Sequence, residues 1–237
     1  MSQKYQGGFI TKSPVAPTSS AASGMWTIDQ AMQLKKNGTW PTLLSIGDAY
    51  QGGFYGGQIS TAGNGVATHN LVVGPISSAQ SNKQFKTTDT ATTGTSSVID
   101  GPTNSTNMNN ASHPAAQFCE GLTIGGFSDW YMPAKNELEI FYYNLKPAGG
   151  SNDTTFGIND NSVPKRTSNY TSGNPAQTTV STFQTGGAEA FAEGFYWSST
   201  QQSNAKFAWV ERFNVGGQYG YYKTYSRNVR AIRRVAV

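Results

Sequence analysis

Few residues in this sequence have side chains suited to catalysis, and they do not combine into a site. Cys119 is the single cysteine, and His69 and His113 are the two imidazoles. A Cys–His nucleophile needs a base beside a thiol in surroundings that favour the thiolate. Cys119 falls instead on the apolar face of a predicted helix, so we expect a buried structural thiol.

Carboxylate pairs for general acid–base chemistry are equally sparse. Glu137 and Glu139 fall on different faces of their predicted helix, and Glu189 and Glu193 have no second pair of reactive groups around them. We therefore expect a protein that is not an enzyme. A hydrolase of surface polysaccharide is the weaker alternative, because no carboxylate pair of the kind such enzymes use stands out.

Two asparagine- and aspartate-rich segments, residues 152–153 and 159–161, supply oxygen atoms of the kind that calcium prefers. Neither has the D-x-D-x-D-G spacing with a terminal glutamate that defines an EF-hand loop. Solvated turn residues are the favoured interpretation, so we predict no cofactor and no metal, with calcium as the alternative.

Aromatic and cationic side chains concentrate in the C-terminal segment. From Lys206 onward there are seven cations and one acid, Glu211, whereas the whole chain carries a formal net charge of +4. A Gly-Gly turn at 216–217 precedes a ribbon whose tyrosines cannot all be buried on one face, and exposed tyrosines supply contact area at small entropic cost. The predicted ligand-binding residues are Lys206, Arg212, Gln218, Tyr219, Tyr221, Tyr222, Lys223, Tyr225 and Arg227. The alternative is an ordinary solvated hairpin.

The composition limits the class of protein. Charged residues are 13 % of the 237 residues, against about a quarter in an average domain, and glycine is abundant. This balance favours turn-rich β structure with a polar but uncharged surface, as in many extracellular and virion proteins. The lone cysteine excludes a disulfide scaffold. We see no signal-like segment and no apolar run of ~18 residues, so we expect a protein that is neither secreted by a classical signal nor inserted in a membrane. The basic excess is too small to predict nucleic acid as a partner.

The elements that position these side chains follow from periodicity and turn signals. Alternation predicts strands at 205–213 and 228–233, with Val229 and Ala231 on one face, and a hairpin at 54–59 and 67–75. A helix from Pro133 to about Asn144 has a core stripe of Leu138, Phe141, Tyr142 and Leu145. Another runs from an N-cap at Ser112 to Glu120. Residues 77–110 are predicted to form a long loop with a strand near 97–99, and residues 149–187 a second insertion.

The N-terminal region differs from the rest. Residues 1–24 read as an extended arm, and residues 25–47 hold a short helix and linker, with Thr27 and Gln30 as a capping box. The thin apolar stripe of this helix needs a partner. We expect Trp26, Ile28 and Met32 to contact the same helix of other subunits, in a homo-oligomer for which a trimer is favoured. Residues 48–237 form the main domain.

Three sequence blocks carry a resemblance to a known family. They are GFSDWYMPAKNEL at 126–138, YWSST at 196–200 and VRAIR at 229–233. In this order and spacing they closely resemble the DUF1566, or Lcl C-terminal, domain family, over roughly residues 48–237. The resemblance implies an α+β, C-type-lectin-like fold with Trp130 and Trp197 in the core, and a ligand surface near residues 202–228. The formylglycine-generating relatives act through paired cysteines, which this chain lacks, so their activity is not transferred.

The N-terminal segments 8–14 and 26–41 resemble the leader of marine bacteriophage tail-fibre and structural proteins. The resemblance therefore implies a virion protein, located on the tail or capsid, that binds a host cell-surface glycan or protein and attaches to other virion proteins through its arm. The alternative is a structural virion protein, either a capsid decoration or a fibre subunit, without receptor binding.

Overall fold

A computed structural model describes residues 27–37 and 44–237 and has a mixed α+β architecture. The chain divides into two units, Met1–Leu44 and Ser45–Val237. The described part of the first unit is helix α1 (Ile28–Lys36). It begins with the predicted capping box, in which the Thr27 hydroxyl accepts from the Gln30 N–H and the Gln30 side chain accepts from the Thr27 N–H. Trp26 lies outside the described residues.

Ten strands, four α-helices and one turn of 3₁₀ helix (Ser181–Phe183) make up the described second unit. The strands are β1 (Ala49–Tyr50), β2 (Gly53–Ile59), β3 (His69–Val73), β4 (Gln80–Gln84), β5 (Ser162–Val163), β6 (Phe195–Gln201), β7 (Phe207–Arg212), β8 (Gly217–Tyr222), β9 (Ser226–Arg230) and β10 (Ile232–Ala236). The helices are α2 (Ile76–Ala79), α3 (Gly101–Thr106), α4 (Pro114–Glu120) and α5 (Lys135–Leu145).

The first sheet joins the two ends of the second unit. Its strand order is β1-β2-β3-β10, with β5 also paired to β2, and all its pairs are antiparallel. The predicted hairpin is confirmed as β2 and β3. The last strand returns beside it, with Ile232 opposite Val73 and Ala236 opposite His69.

The second sheet carries the C-terminal ribbon. Its order is β4-β9-β6-β7-β8, and β6 and β9 run parallel while the other neighbours are antiparallel. The predicted strand at 205–213 is confirmed as β7, and the chain turns before Gly217 into β8, with Phe207 opposite Tyr222 and Arg212 opposite Gly217. Strand β8 lies at the edge of the sheet.

The predicted single strand over residues 228–233 is wrong. The chain leaves the second sheet after Arg230 and enters the first sheet at Ile232, so Ala231 is the crossing point. Its N–H donates to the Ala79 carbonyl, and its own carbonyl accepts from the Gly74 N–H. The two segments on either side of Ala231 are both extended, so the alternation of side chains in the sequence continues across it. The segments nevertheless belong to different sheets.

Two other local predictions need correction. No strand forms at residues 97–99, because the Ser97 hydroxyl accepts from the backbone N–H groups of Ile99 and Asp100 and so favours a turn. The helix predicted from Ser112 begins instead at Pro114, whose fixed φ suits the first helical position and which has no N–H to satisfy.

Helix α5 and two tryptophans organise the core. The predicted stripe Leu138, Phe141, Tyr142 and Leu145 is buried, and α5 packs so closely on β2 that a Cβ at Gly56 would lie 2.1 Å from the Phe141 ring. Trp130 and Trp197 are buried in a second apolar cluster, and their indole N–H groups donate to the backbone carbonyls of Phe127 and Lys83. Both roles agree with the sequence predictions.

Among the described residues, no helix has the length and apolarity needed to cross a membrane.

Candidate ligand-binding surface

One continuous row of aromatic rings runs from one face of the second sheet, past the turn after β8, to the opposite face, because Tyr221 and Tyr222 are consecutive residues of one strand. Neighbouring ring centroids are separated by 5.1 Å (Phe195 and Tyr221), 5.7 Å (Tyr221 and Tyr225), 5.9 Å (Tyr225 and Tyr222) and 4.6 Å (Tyr222 and Phe207). Edge-on and offset contacts of this kind add about 0.5–1.5 kcal/mol per pair beyond area burial. The row therefore orders its own side chains while leaving aromatic surface open.

Two arginines lie over this row. The guanidinium carbon of Arg227 is 4.2 Å from the Tyr221 ring centroid, 5.5 Å from that of Phe195 and 5.6 Å from that of Tyr225. Arg212 lies 5.6 Å from the Phe195 centroid. We name this surface the aromatic–arginine patch; its members are Phe195, Phe207, Arg212, Tyr221, Tyr222, Tyr225 and Arg227.

The patch is partly open to solvent. Tyr222 is 43 % exposed and Tyr225 is 51 % exposed, which makes them two of the most exposed large apolar side chains in the second unit. The turn after β8 is held in place because the Asp89 carboxylate accepts hydrogen bonds from both the backbone N–H and the hydroxyl of Thr224. Exposed rings on an ordered turn are available for contact without a large ordering cost.

The structure divides the nine predicted ligand-binding residues. Arg212, Tyr221, Tyr222, Tyr225 and Arg227 belong to the patch, and Lys206 is exposed immediately before Phe207 on the chain. Tyr219 points away from it, because its hydroxyl donates to Asp153 Oδ2 and its ring contacts Phe156. Gln218 is buried and donates to the Lys135 carbonyl.

Lys223 is the largest departure from the predicted set. It is fully buried, and its ammonium donates to the Thr90 carbonyl, the Thr92 hydroxyl and the Gln201 side chain. Burial lowers the pKa of Lys223 to about 8. With its donors committed internally, Lys223 holds the 90–92 loop and is not available to a ligand.

Sequence reasoning missed two patch residues, Phe195 and Phe207. Alternation places Phe207 on the predicted strand 205–213 without a surface role, and Phe195 lies just before the block at 196–200. Both are partly buried first residues of strands, and Phe195 also packs against the second apolar cluster, so alternation alone does not mark either as a surface residue.

Hydrogen bonds made by the three sequence blocks hold the elements of the domain together, and we call these blocks (residues 126–138, 196–200 and 229–233) the support of the domain. The Asp129 carboxylate accepts from Arg233 Nε and Nη2 at 2.7 and 2.9 Å, which joins the first block to the third. Ser199 of the second block donates its N–H to the Pro133 carbonyl, and the Thr200 hydroxyl accepts from the Lys135 N–H. These contacts hold the two sheets and α5 together.

The candidate catalytic groups are dispersed among structural contacts. Cys119 is buried in α4, and burial raises the pKa of its thiol. His113 contacts the Thr92 hydroxyl and the Asn110 side chain, and burial followed by the Lys86 and Lys223 charges lowers its pKa to about 4. His69 contacts the Thr68 hydroxyl. In the described chain, these groups make no hydrogen bond with one another.

Two buried carboxyl groups lie beneath the second sheet. Glu139 accepts from Asn159, Tyr170 and Arg166. Glu211 of β7 is also buried, but neither of its oxygens has a hydrogen-bond partner among the described residues. Burial, reinforced by the Glu139 charge, raises the pKa of Glu211 well above its usual range.

The segments considered for calcium are occupied by internal contacts. Asn152 Oδ1 accepts from Tyr142 and from the Lys146 ammonium, and Asp153 accepts from Thr155 and Tyr219. In the second segment, Asn161 Oδ1 accepts from Asn136, Asn159 Oδ1 accepts from the Asn161 N–H, and Asp160 pairs with Lys165. No group of three or more His, Cys, Asp or Glu side chains suited to a metal occurs in the described part of the chain.

Two cavities lie outside the patch. One, of about 340 Å³, is lined by residues including Ile46, Tyr143 and Val180, and the other, of about 420 Å³, by residues including Tyr50 and Phe54. Both are wide and shallow, and neither contains a patch residue. The patch itself is an open surface, which suits contact with an extended or flat ligand.

The family comparison agrees with the sequence blocks. The model of the Lcl C-terminal domain matches residues 80–233, from β4 into β10, and so covers more than half of the 237 residues. A search of curated proteins finds no significant match. The matched region contains all three sequence blocks and the whole aromatic–arginine patch, and the chain belongs to the Lcl C-terminal domain family.

Proposed function

We propose that this protein is a non-enzymatic bacteriophage virion adhesin that binds a host cell-surface glycan or protein through the aromatic–arginine patch. The observation that carries the proposal is the row of ordered, partly exposed rings with two arginines above it. Binding surfaces are enriched in tyrosine and arginine, which supply large contact area and multiple donors. The virion location rests on the resemblance of the N-terminal segments to phage tail-fibre and structural proteins.

We also propose that the second unit, Ser45–Val237, which we call the head, has a C-type-lectin-like fold. Three features support this fold beyond the α+β class. The last strand, β10, pairs with β3 and brings the two ends of the head together. A long, largely irregular segment separates α5 from β6. A second sheet, β4-β9-β6-β7-β8, carries the patch. The lectin-like fold places ligand surfaces in this C-terminal region.

Helix α1 supplies a means of association. It is nine residues long and has no buried residue, with Ile28 78 % and Met32 65 % exposed. An isolated helix of this length is marginal in water. We propose that Ile28 and Met32 contact the equivalent helices of other subunits, with a trimer as the favoured state, while the arm attaches the protein to other virion proteins.

Binding is tested with the double variant Tyr221→Ala, Tyr225→Ala. The labelled full-length protein is applied to a printed glycan array and to a panel of bacterial isolates. We expect the wild type to bind and the variant to lose at least 10-fold in apparent affinity. Ile158→Ala, which trims a 58 % exposed apolar side chain outside the patch, is the matched control and should bind as the wild type does.

Unchanged binding by the double variant, with its fold confirmed by circular dichroism, would overturn the role of the patch. Absence of wild-type binding to both the array and the isolates would count against adhesion itself. Particles lacking the protein separate adhesion from the structural alternative. Intact particles that do not adsorb favour an adhesin, whereas particles that fail to assemble favour a decoration or fibre subunit.

The oligomeric state is tested by native mass measurement of the full chain and of the variant Ile28→Ser, Met32→Ser. We expect a wild-type trimer that shifts towards monomer in the variant. A wild-type monomer would contradict the role proposed for α1.

A further inference from the structure

A buried lysine and a glutamine side chain meet at one end of the second sheet. Lys223 follows β8 and is fully buried, and Gln201 is the last residue of β6. The Lys223 Nζ lies 2.5 Å from Gln201 Oε1. Because a C=O bond is about 1.23 Å long, Nζ lies within about 3.7 Å of the amide carbon Cδ. An amine and an amide carbon in such contact are the two reactants of an amide exchange, for which reacting atoms need to approach about 3–3.5 Å.

The surroundings of Lys223 favour a nucleophilic amine. Burial lowers the pKa of Lys223 to about 8, so a neutral amine is accessible close to neutral pH. The ammonium donates to the Thr90 carbonyl, the Thr92 hydroxyl and the Gln201 amide oxygen. Loss of one proton leaves two N–H donors for Thr90 and Thr92, and it gives Nζ a lone pair on the side of Gln201.

The amide of Gln201 is held for attack by a backbone donor. Its Oε1 accepts from the Thr92 N–H at 2.5 Å as well as from Lys223. Both partners are donors, so they identify this atom as the amide oxygen. The Thr92 N–H polarises the C=O bond, and it stabilises the negative charge that Oε1 gains when Cδ is attacked.

A hydrogen-bonded chain leads a proton away from Nζ. The Lys223 Nζ donates to Thr92 Oγ1 at 3.3 Å, and that oxygen lies 3.2 Å from His113 Nε2. The other ring nitrogen, Nδ1, lies 2.9 Å from Asn110 Oδ1, which also accepts from the Ser112 N–H. Since Asn110 Oδ1 only accepts, Nδ1 carries the proton and Nε2 accepts from the Thr92 hydroxyl. The imidazole is therefore oriented as a proton acceptor.

We propose that Lys223 and Gln201 react with each other and form an intramolecular isopeptide cross-link. Nζ attacks Cδ, so that the Nζ–Cδ bond forms and the Cδ–Nε2 bond breaks. One proton leaves Nζ and one is taken up by the departing Nε2, which leaves as ammonia. The exchange of one amide for another balances without an oxidant or a cofactor. Thr92 and His113 act as positioning residues that accept the proton from Nζ.

A second buried lysine provides an internal control. The Lys146 ammonium donates to Asn152 Oδ1 at 2.7 Å, and its other acceptors are the backbone carbonyls of Gly150 and Pro175. Within the described residues, this pair has neither a hydroxyl–imidazole chain beside the amine nor a backbone N–H on the amide oxygen. We therefore expect Lys146 and Asn152 to remain unlinked.

The test is the mass of the purified full-length protein under denaturing conditions. We expect it to be lighter than the mass calculated from the sequence by one ammonia. A tryptic digest should then contain peptide 167–206 joined to peptide 213–227, with no cleavage after Lys223, and fragmentation should locate the bond between Gln201 and Lys223. Gln201→Met lacks the reacting amide, so its digest should contain no joined peptides and should be cleaved after Lys223.

A conservative variant tests the proton path. Thr92→Val keeps the backbone N–H that faces Gln201 and removes the hydroxyl between Lys223 and His113. The fraction of joined peptide, measured at fixed times after a short pulse of expression, should rise about 10-fold more slowly than in the wild type. Thr88→Val removes an exposed hydroxyl of the same loop and should leave the rate within about 2-fold of the wild type. Circular dichroism of each variant checks that the fold is retained.

The wild-type measurement decides the inference by itself. The full sequence mass together with tryptic cleavage after Lys223 would show a hydrogen-bonded pair only and would overturn it. A bond mapped to Thr92 and Gln201, or to Lys146 and Asn152, would also overturn the assignment. Formation of the link in Thr92→Val at the wild-type rate would contradict the proton path.

Discussion

The support of the domain and the aromatic–arginine patch use arginine in opposite ways. In the support, Arg230 is buried against Glu189 and Arg233 forms a two-pronged pair with Asp129. In the patch, Arg227 lies over aromatic rings and has no described carboxylate beside it. The comparison shows that the role of an arginine depends on whether the fold supplies its counter-charge. Within the described residues, the fold supplies one to Arg230 and Arg233 and supplies none to Arg227.

The largest expected effect comes from Arg230→Ala. Its guanidinium donates to the Gly74 carbonyl and to the backbone carbonyl and carboxylate of Glu189, all in a buried site. Breaking a buried pair by removing one partner costs about 3–5 kcal/mol. Urea denaturation should show this loss, and Arg227→Ala should cost less than about 1 kcal/mol. Similar losses in the two variants would remove the distinction between support and patch.

Glu211→Met is expected to change stability in the opposite direction. Glu211 is buried with both oxygens unpartnered among the described residues. Replacing it with an apolar side chain of similar size removes that desolvation penalty and should raise the free energy of unfolding by about 1–2 kcal/mol. Glu139→Met is the matched control and should destabilise, because it removes the acceptor of Asn159, Tyr170 and Arg166. A clear loss of stability in Glu211→Met would indicate that Glu211 has a partner essential to the fold.

The smallest expected effect is a dependence of stability on pH through His113. Because burial lowers the pKa of folded His113 to about 4, below the usual histidine value of 6.5, the unfolded state takes up a proton first as the pH falls. The stability that neutral His113 contributes to the folded state is therefore fully present above pH 6.5 and is lost as the pH falls towards 4. Melting temperatures between pH 7 and pH 5 should fall less steeply in His113→Gln than in the wild type. Parallel curves would show that His113 does not contribute.

Much of the fold is predictable from local sequence. The capping box at Thr27, the stripe of α5 and the hairpins follow from periodicity and turn residues, and the α+β class and the family follow from the three blocks. Burial of Trp130 and Trp197 was also predicted correctly. These features depend on residues close together in the chain or on motifs that specify their own surroundings.

The errors have a common physical cause in long-range contacts. Lys223 looks like a surface cation, but the 90–92 loop, more than a hundred positions earlier in the chain, covers it and accepts its hydrogen bonds. The crossing at Ala231 depends on the distant Gly74 and Ala79. For the same reason, alternation could not show that Phe195 meets Tyr221 across the sheet.

The central claim is most directly tested by the arginine Nε–H signals of the isotopically labelled protein in solution. The protein is titrated with the glycan that binds it best on the array, and each signal is assigned with a single Arg→Lys variant. The Nε–H signal of Arg227, which has no partner in the described structure, should shift on binding, while those of Arg230 and Arg233 should stay in place. Shifts confined to the ion-paired arginines, with Arg227 unchanged, would contradict the assignment of recognition to the patch.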